Sequence, residues 1–458
     1  MPRGDEAGTA RGMIVFRKVA AIALVLAGAL GASAQNLTLP DAAAEALARN
    51  PAIVAAVSQQ AAAAARLRAA RAAWLPRVDV SESVTHGNNP VFVFGSLLEQ
   101  GKFTAQRFDP AFLNAPAALT NYRTAIAARF ALFDQFRART DVRRSENAEE
   151  RASIEAAAER QRVLAEVIAR FYGVVLAEEK AATARDAVRS AESSAKKTRD
   201  RFEQGLLVES DALSADVQLA SFRQRVIAAE GDLAVVHAAL AMLLQRPWSD
   251  PIVITGSLPL SPIAEPDLDS AVARAVARAS AVKAAARATS DSELHVAAER
   301  ATALPRVDAF GTLGASGSEL GRRNSDHTVA IAVTLELFDR ARPARVAAAR
   351  ADLDTARAAE AIARDAATIE AVTLWHRLHA ARESAVVAER AVAQAEAAAR
   401  IVDDRYEQGL TTITEQLNAQ SAVVTARFEF LAARYETVTA RAALLRATGD
   451  LDDVQSFL

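Results

Sequence analysis

Hydrophobic residues recur along this chain with two different periods. In four long stretches they return every three or four positions, which predicts helices that bury one face. Two further stretches, rich in alanine, share this period, and Pro76 ends the first of them. The six expected helices cover residues 41–75, 135–204, 210–245, 267–303, 340–408 and 412–446.

In four shorter stretches, apolar and polar residues alternate instead. In the clearest of these, Val329, Ile331 and Val333 face one way, and Thr328 and Thr334 face the other. The alternation predicts β-strands with one apolar and one polar face. The length is typical of membrane-spanning strands, although a small sheet packed on helices has the same pattern. The strands are expected at about 77–86, 122–133, 306–316 and 327–338.

The chain contains an internal duplication. The hexapeptide RFEQGL at 201–206 returns 204 residues later as RYEQGL at 405–410. The segments LPRVD at 75–79 and 304–308 correspond at an offset of 229, and LFD at 132–134 and 337–339 at an offset of 205, so one loop of the first copy is longer by 24 residues. We therefore expect two similar halves, with the extra residues in a loop at 87–121.

Each repeated hexapeptide is expected to turn the chain between two helices. Gly205 and Gly409 follow the two long helices, and glycine ends helices in the left-handed conformation at little steric cost. Asp134 and Asp339 precede the same helices and are expected to cap them. The first long helix, 135–204, would extend roughly 105 Å at 1.5 Å per residue. The two shorter helices of each half, placed end to end, would match the long one.

Three domains and a leader follow from these patterns. Residues 1–34 have the basic start, apolar core and Ala-Ser-Ala site of a secretory signal peptide, with translation starting at Met1 or Met13. The first repeat is expected at 35–246 and the second at 267–458. Between them, 247–266 holds five of the 14 prolines and a strand-like segment at 252–254, and we interpret it as a connector on the outside of the helices.

Composition narrows the class of protein. The chain has no cysteine, so an exported form folds without disulfides and is not expected to be a lipoprotein. The net charge of −2 gives no electrostatic footprint for nucleic acid. No segment after the signal peptide has about 18 uninterrupted apolar residues, so no membrane-spanning helix is expected. We find no motif for catalysis, and expect neither an enzyme nor a cofactor.

Four membrane strands cannot close a barrel by themselves. Bacterial barrels begin at about eight strands, and an open edge in lipid would leave backbone groups without hydrogen bonds. The chain is therefore expected to oligomerise around an axis. Three chains would close about twelve strands.

In these features the chain resembles the TolC-like outer-membrane efflux protein family over its mature length. The resemblance implies a mainly helical fold with membrane strands. In it, a homotrimer shares a twelve-stranded β-barrel, with four strands per chain, and a long periplasmic helical barrel. It also implies an outer-membrane exit channel for small molecules, joined by a periplasmic adaptor to an inner-membrane pump of the resistance-nodulation-division or ABC type. The loop at 87–121 would then be extracellular, and outer-membrane lipid would surround the strands.

Two sites carry over from the family by position. The turns that receive the adaptor correspond to Gly205-Leu206 and Gly409-Leu410, although Gln204 and Gln408 stand where the family often has an apolar residue. We therefore expect a periplasmic adaptor to dock at these turns, while the identity of that adaptor stays open.

The second family site is a constriction of acidic residues that narrows the periplasmic end of the pore. Asp211 and Glu415 correspond to it, with Tyr406 in the bond network of the closed state. Thr411 and Asn418 depart from the family pattern, so that network is expected to be weaker or built differently. The spacing of Thr412 and Glu415 also fits a helix-capping box, which is an alternative role for both carboxylates.

Other interpretations stay open from sequence alone. The same architecture serves as the outer-membrane duct for type I protein secretion with an ABC transporter. A soluble periplasmic coiled-coil protein with a small β cap would also fit the helices. His376 and His379, three residues apart on a helix, could bind a metal, but Trp375 beside them favours local packing.

Overall fold

The structure is a computed structural model that describes residues 36–259 and 267–457. The signal peptide predicted at 1–34 and residues 260–266 of the predicted connector lie outside these ranges.

Helices account for most of the described chain, and two of them have 67 residues each. We number them in chain order. They are α1 (Leu39–Arg49), α2 (Pro51–Ala72), α3 (Pro90–Glu99), α4 (Pro110–Asn114), α5 (Arg137–Glu203), α6 (Glu209–Leu243), α7 (Leu268–Arg278), α8 (Ser280–Ala301), α9 (Ala341–Glu407) and α10 (Ile413–Ala447).

In the described residues, six strands form two sheets. The strands β1 (Asn36–Leu37) and β4 (Val253–Ile254) pair in parallel. The other four form one antiparallel sheet in the order β2-β3-β5-β6. Their bounds are Arg77–Gly87 for β2, Leu119–Phe133 for β3, Arg306–Glu319 for β5 and Arg322–Thr334 for β6.

Two helices expected to be continuous are each broken into two. The first expected helix, 41–75, is interrupted at Asn50, whose backbone is extended because Pro51 disfavours the helical conformation of the preceding residue. The Asn50 side chain then accepts a hydrogen bond from the backbone N–H of Ala52 at 2.9 Å and starts α2. The helix expected at 267–303 is interrupted at Ala279, which is extended without a proline behind it.

The first long helix begins two residues later than expected. Gln135 and Phe136 have left-handed backbones, with φ of 62° and 64°, so the helix starts at Arg137. The Gln135 amide donates hydrogen bonds to the carbonyl oxygens of Thr302 and Leu304, which hold this strained junction in place. Asp134 keeps its expected role, because its carboxylate accepts from the backbone N–H of Ala138 at 2.6 Å.

The second long helix starts with a similar acidic residue. The Asp339 carboxylate accepts from the backbone N–H of Ala341 and from Arg345, both at 2.8 Å. The hydrogen bond from Ala341, followed by the one from Arg345, holds the pKa of Asp339 below its ordinary value. The carboxylate therefore stays charged at the end of the helix where negative charge is favoured.

The segment 87–121, expected to be a loop, is largely folded. It contains α3, a short 3-10 helix at Ala105–Arg107 and α4, and β3 begins at Leu119. Asn89 and Pro90 begin α3, since the Asn89 side chain accepts from the backbone N–H of Phe92 and proline is favoured in a first helical turn. Asp109 and Pro110 begin α4 in the same way.

The chain forms two compact units that cut across the two sequence repeats. One unit comprises residues 55–158 and 276–368, which include the four-stranded sheet. The other comprises 36–54, 159–275 and 369–457 among the described residues, and it includes both glycine turns. Each unit therefore draws on both repeats: β3 pairs with β5 in the unit that contains the sheet, and α6 contacts α10 in the other.

The core of the unit that includes both glycine turns lies along α5. Leu164, Ile168, Phe171 and Val175 recur at helical spacing in the sequence and are all buried. The connector packs against this core, since Leu258 is buried in it. Gly256 passes so close to Phe171 that a Cβ there would lie 3.3 Å from the ring.

Removing the Phe171 ring is expected to destabilise the protein strongly. Phe171 is 1% exposed, so Phe171→Ala should lower the free energy of unfolding by about 3–5 kcal/mol. The matched control is Phe202→Ala at the end of α5, where the ring is 38% exposed and the loss should stay below about 1 kcal/mol. Denaturant titration in detergent, followed by helical circular dichroism, measures both. Equal losses for the two variants would contradict this description of the core.

Candidate functional site

The two repeated hexapeptides form the same backbone turn. Gly205 and Gly409 have left-handed backbones, with φ of 74° and 71°. After each glycine, the N–H of the next residue bonds back five residues, from Leu206 to Arg201 at 2.9 Å and from Leu410 to Arg405 at 2.8 Å. This is the Schellman pattern of helix ends, and it confirms the turns expected from sequence.

Both turns present an apolar side chain to solvent. Leu206 is 69% exposed and Leu410 is 62% exposed. Apart from the glycine itself and its two chain neighbours, no described residue has an atom within 4 Å of the position where a Cβ on Gly205 or Gly409 would stand. The turns are therefore open surfaces, and their glycines are needed for backbone conformation, not for close packing.

Side chains of the two halves meet beside the turns. Lys197 on α5 lies 3.6 Å from Glu407 on α9. The guanidinium of Arg201 lies 5.5 Å from the centre of the Tyr406 ring, a cation-π contact. These contacts bring the ends of the two long helices together, so both turns lie at the same end of this unit.

Tyr406 does not make the hydrogen bond expected of a closed-state network. Its hydroxyl is buried and has no hydrogen-bond partner among the described residues. It lines a polar cavity of about 190 Å³ together with Asp403, Gln416 and Gln420. Gln416 donates to Asp403 at 2.9 Å, while its own amide oxygen is buried without a described partner. The role of Tyr406 in a closed state thus stays a prediction, and its observed contact is with Arg201.

The two candidate pore carboxylates both lie in first helical turns. Asp211 is in the first turn of α6 and is half-buried, and Glu415 is in the first turn of α10 and is exposed. Thr412 caps α10, accepting from the backbone N–H of Glu415 at 3.3 Å. The Glu415 carboxylate bonds to the hydroxyl of Thr411, a residue that departs from the family pattern, and not to the backbone of Thr412. Glu415 therefore forms half of a capping box and keeps a carboxylate at the surface.

The other candidate, a metal site at His376 and His379, is explained by packing. Trp375 stacks on the His379 ring at 5.4 Å and meets the His376 ring edge-on at 5.1 Å. Among the described residues, no group of three or more His, Cys, Asp or Glu is arranged to hold a metal.

The four-stranded sheet has an apolar face that its own chain leaves uncovered. Cross-strand partners such as Val80 with Ile126 and Gly311 with Val329 place the apolar residues on one face. Val329 is 81% exposed. The opposite face carries polar residues, including Ser83, Arg123 and Asp326. The expected alternation is present, and the apolar face needs a cover that the described chain does not provide. Its exposed apolar members are Val78, Val80, Val84, Ile126, Phe130, Leu132, Leu313, Val329, Ile331 and Val333.

Helix α6 has a second exposed apolar surface that the sequence analysis missed. We call it the α6 stripe, and it consists of Leu213, Val217, Ile227, Val235 and Met242. At about 100° per residue these side chains fall within an arc of roughly 80°. The buried residues Phe222 and Leu240 lie on the opposite side of the helix. Counting by helical angle in the sequence would have found it.

The α6 stripe also bears on the expectation that no helix of this chain is apolar enough to span a membrane. Among the described helices, α6 is the single one that is long and apolar enough to cross a bilayer by length and composition, with 17% of its apolar window buried. A helix with two apolar faces meets the same criterion. The sequence analysis required an uninterrupted run of apolar residues. This is a stricter criterion for a membrane-spanning helix than mean hydropathy, and α6 does not meet it.

Comparison with known proteins identifies the family. The chain matches the outer membrane efflux protein family over residues 42–245 and 271–450. It belongs to this family. Because the outer membrane efflux protein match has two parts, each covering most of one repeat, it also parallels the internal duplication.

Similar individual proteins agree with this assignment. The chain is 30% identical to protein CyaE of Bordetella pertussis over 295 residues, 63% of this chain and 62% of that protein, so it spans less than two thirds of this relative. It is 24% identical over 344 residues to the outer membrane efflux protein BepC of Brucella suis, covering 72% of this chain and 73% of BepC.

Solved structures confirm the fold. The structure of CusC, described as undergoing transmembrane channel formation, superposes with a TM-score of 0.77 over 90% of this chain and 92% of CusC, at 15% identity. At this identity the likeness establishes the mainly helical efflux-channel fold with its small set of strands, as expected from the sequence.

Proposed function

We propose that this outer membrane efflux protein is the exit channel of a tripartite efflux system. It would pass small molecules, such as drugs, toxic compounds or metal ions, to the exterior from a periplasmic adaptor and an inner-membrane pump. The observation that carries this proposal is the antiparallel sheet with an uncovered apolar face and two free edges.

The apolar face has the character of a surface in contact with lipid. Strands of 11 to 15 residues reach or exceed the nine to eleven that a tilted strand needs to cross a bilayer. A monomer in water would expose ten large apolar side chains on one sheet face, a patch typical of membrane or protein contact. Outer-membrane lipid supplies the cover.

The free edges favour a closed ring of chains. Within the described chain, β2 and β6 each pair on one side only. Because the order β2-β3-β5-β6 is antiparallel throughout, β2 and β6 run in opposite directions, so β6 of one chain can pair antiparallel with β2 of the next. Such head-to-tail contacts close into rings, and lipid leaves no other way to satisfy the edges. Three copies, as in the TolC-like family, give twelve strands.

The helices offer a second head-to-tail contact. The α6 stripe is exposed on the first half, and α9 of the second half exposes Ile369, Val387 and Ile401 on the side opposite buried Leu378. Packing α9 of one chain on the α6 stripe of the next would bury both surfaces. The sheet edges and these stripes thus support the same kind of homotrimer.

Two roles remain to be assigned, adaptor docking and the periplasmic constriction of the pore. We assign adaptor docking to Gly205, Leu206, Gly409 and Leu410, because they form exposed apolar turns at one end of their unit. We assign the periplasmic constriction to Asp211 and Glu415, which lie in the helical turns that follow. The signal peptide predicted at 1–34 supports delivery to the outer membrane, with the helices in the periplasm.

Charge placed on the α6 stripe is expected to break the oligomer. Val217→Glu combined with Val235→Glu would bury two unpaired carboxylates in each contact, at a cost of several kcal/mol. The variant should appear as a monomer by light scattering in detergent, with wild-type helical content. The control is threonine at the same positions, which keeps the side-chain shape without charge and should retain the trimer. A stable trimer of the glutamate variant would remove the α6 stripe from the interface.

A further inference from the structure

Helix α3 is docked on the polar face of the sheet. It is an apolar helix that follows β2, and its residues Val93 and Leu97 are each 2% exposed. Ser96 between them is also buried. The segment that was expected to be a loop therefore contains a helix with one buried face.

The end of α3 is anchored by a polar network. The Glu99 carboxylate accepts from Asn121 at 3.2 Å and from Ser316 at 3.1 Å, and it lies 3.4 Å from Arg123. Ser316 is fully buried, and Asn121 is 6% exposed. Gln100, also buried, donates to Asn121 at 3.0 Å. Buried polar groups with several partners fix one arrangement, so the position of α3 is specified.

The strands are built to receive this network. Arg123 forms a two-pronged ion pair with Asp326, with N–O distances of 2.8 and 2.9 Å. Gly314 lies beneath this pair, and a Cβ there would stand 2.7 Å from the Arg123 guanidinium and 2.8 Å from the Asp326 carboxylate. Glycine thus makes room for the ion pair that faces Glu99.

All of these strand residues share the polar face. Arg123 is the cross-strand partner of Ser316, Ser316 of Asn324, and Gly314 of Asp326. Asn324 also donates to the backbone carbonyl of Glu99 at 3.0 Å. In a barrel whose apolar face meets lipid, the polar face lines the lumen. Anything docked there occupies the interior of the barrel.

We propose that α3 lines and narrows the outer end of the duct, so that it limits the size of molecules that leave. This inference rests on the proposed function. In a trimer, three copies of α3 would project inward from the barrel wall. The exit would then admit small molecules and exclude bulky ones, which adds a size limit to the cargo class proposed above.

The docking of α3 can be tested with a disulfide, because the chain has no cysteine of its own. A Cβ on Gly101 would lie 3.9 Å from the Cβ of Asn324, within the range that disulfides need. Gly101→Cys with Asn324→Cys should therefore crosslink on oxidation, despite a strain of about 1 kcal/mol at a residue with φ of 63°. The control, Gly95→Cys with Asn324→Cys, should stay reduced, since no described atom lies within 4 Å of a Cβ at Gly95.

The narrowing can be tested with a cysteine inside the barrel. Thr328→Cys places a thiol on the polar face, two residues from Asp326, in an exposed position. In intact cells, N-ethylmaleimide should label it readily, and a polymer-linked maleimide should label it slowly. Replacing residues 90–99 by glycine and serine should raise the rate of polymer labelling about tenfold or more, with little change for the small reagent. Val329→Cys, on the lipid face, should resist both reagents.

Each other outcome has a definite meaning. If polymer labelling of Thr328→Cys does not change when α3 is replaced, while Val329→Cys stays protected, the barrel stands and the exit constriction is refuted. If Gly101→Cys and Asn324→Cys fail to crosslink in a correctly assembled protein, the docking of α3 is refuted. If Thr328→Cys and Val329→Cys react equally fast with the polymer reagent, the sheet does not form a membrane barrel, and the proposed function itself fails.

Discussion

Tryptophan at both Gly205 and Gly409 is expected to abolish export while the trimer still assembles. The two turns are the exposed apolar surfaces assigned to adaptor docking, and a bulky ring there would keep the adaptor from approaching them. Apart from each glycine and its two chain neighbours, no described residue has an atom within 4 Å of either Cβ position, so the new side chains extend away from the core. Export of a pump substrate from cells that carry the cognate adaptor and pump measures the effect, with trimer formation checked by light scattering.

Alanine at the same two positions is the matched control. Alanine and tryptophan carry the same backbone strain at a φ near +70°, about 1–2 kcal/mol per site, but alanine adds almost no bulk. Export should therefore fall by a small factor with alanine and to background with tryptophan. Wild-type export by the tryptophan variant would rule out docking at the glycine turns. Equal loss with both variants would attribute the effect to turn conformation.

Neutralising Asp211 and Glu415 is expected to weaken the cation preference of the pore. Asp211→Asn with Glu415→Gln removes six carboxylates from a trimer. A ring of like charges in a narrow pore concentrates cations, so its loss should lower the cation-to-anion permeability ratio about fivefold. Reversal potentials across planar bilayers in a salt gradient measure this ratio.

The capping interpretation of these carboxylates predicts a different result. If Glu415 acts only at the start of α10, its neutralisation should lower thermal stability slightly and leave permeation unchanged. Thr412→Ala is the matched control, because it removes the observed cap of α10 without changing charge, at a cost of about 1 kcal/mol. Permeation that responds to the carboxylates but not to Thr412 supports the pore role. Unchanged permeation in both variants, with slightly lower thermal stability, would leave both carboxylates as helix caps.

The sequence predicted much of the fold because its signals are periodic and repeated. Alternation over β6 and over β2 follows directly from side chains that point to opposite faces of a strand. The long helices lack proline and glycine over most of their length, apart from Gly173 and Pro343. The glycine turns could be predicted because left-handed backbone favours glycine, and the two copies supported each other.

What the sequence analysis missed depends on local competition or on contacts distant in sequence. The break at Asn50 comes from the proline behind it, a signal that was present but was overruled by the surrounding alanine pattern. At Ala279 no such signal exists. Helix α3 had an Asn-Pro start that could have been recognised, yet its docking depends on Glu99, Arg123 and Ser316, which come from three separate elements.

The positions of the candidate site residues could be predicted better than the contacts that their side chains make. Residue-by-residue comparison placed Tyr406, Asp211 and Glu415 beside the turns, where the structure has them. Their partners were not foreseen: Tyr406 contacts Arg201, and Glu415 bonds to Thr411. Such contacts depend on side-chain conformation and on which helices are neighbours, and neither is encoded in a local pattern.

The central claim is that three chains share one membrane barrel, and the mass of the mature protein tests it most directly. Light scattering after extraction in mild detergent should give three times the chain mass, and removal of the detergent should cause aggregation because the apolar sheet face loses its cover. A soluble monomer or dimer in detergent-free buffer would contradict the channel, and would favour a periplasmic coiled-coil protein with a small β cap.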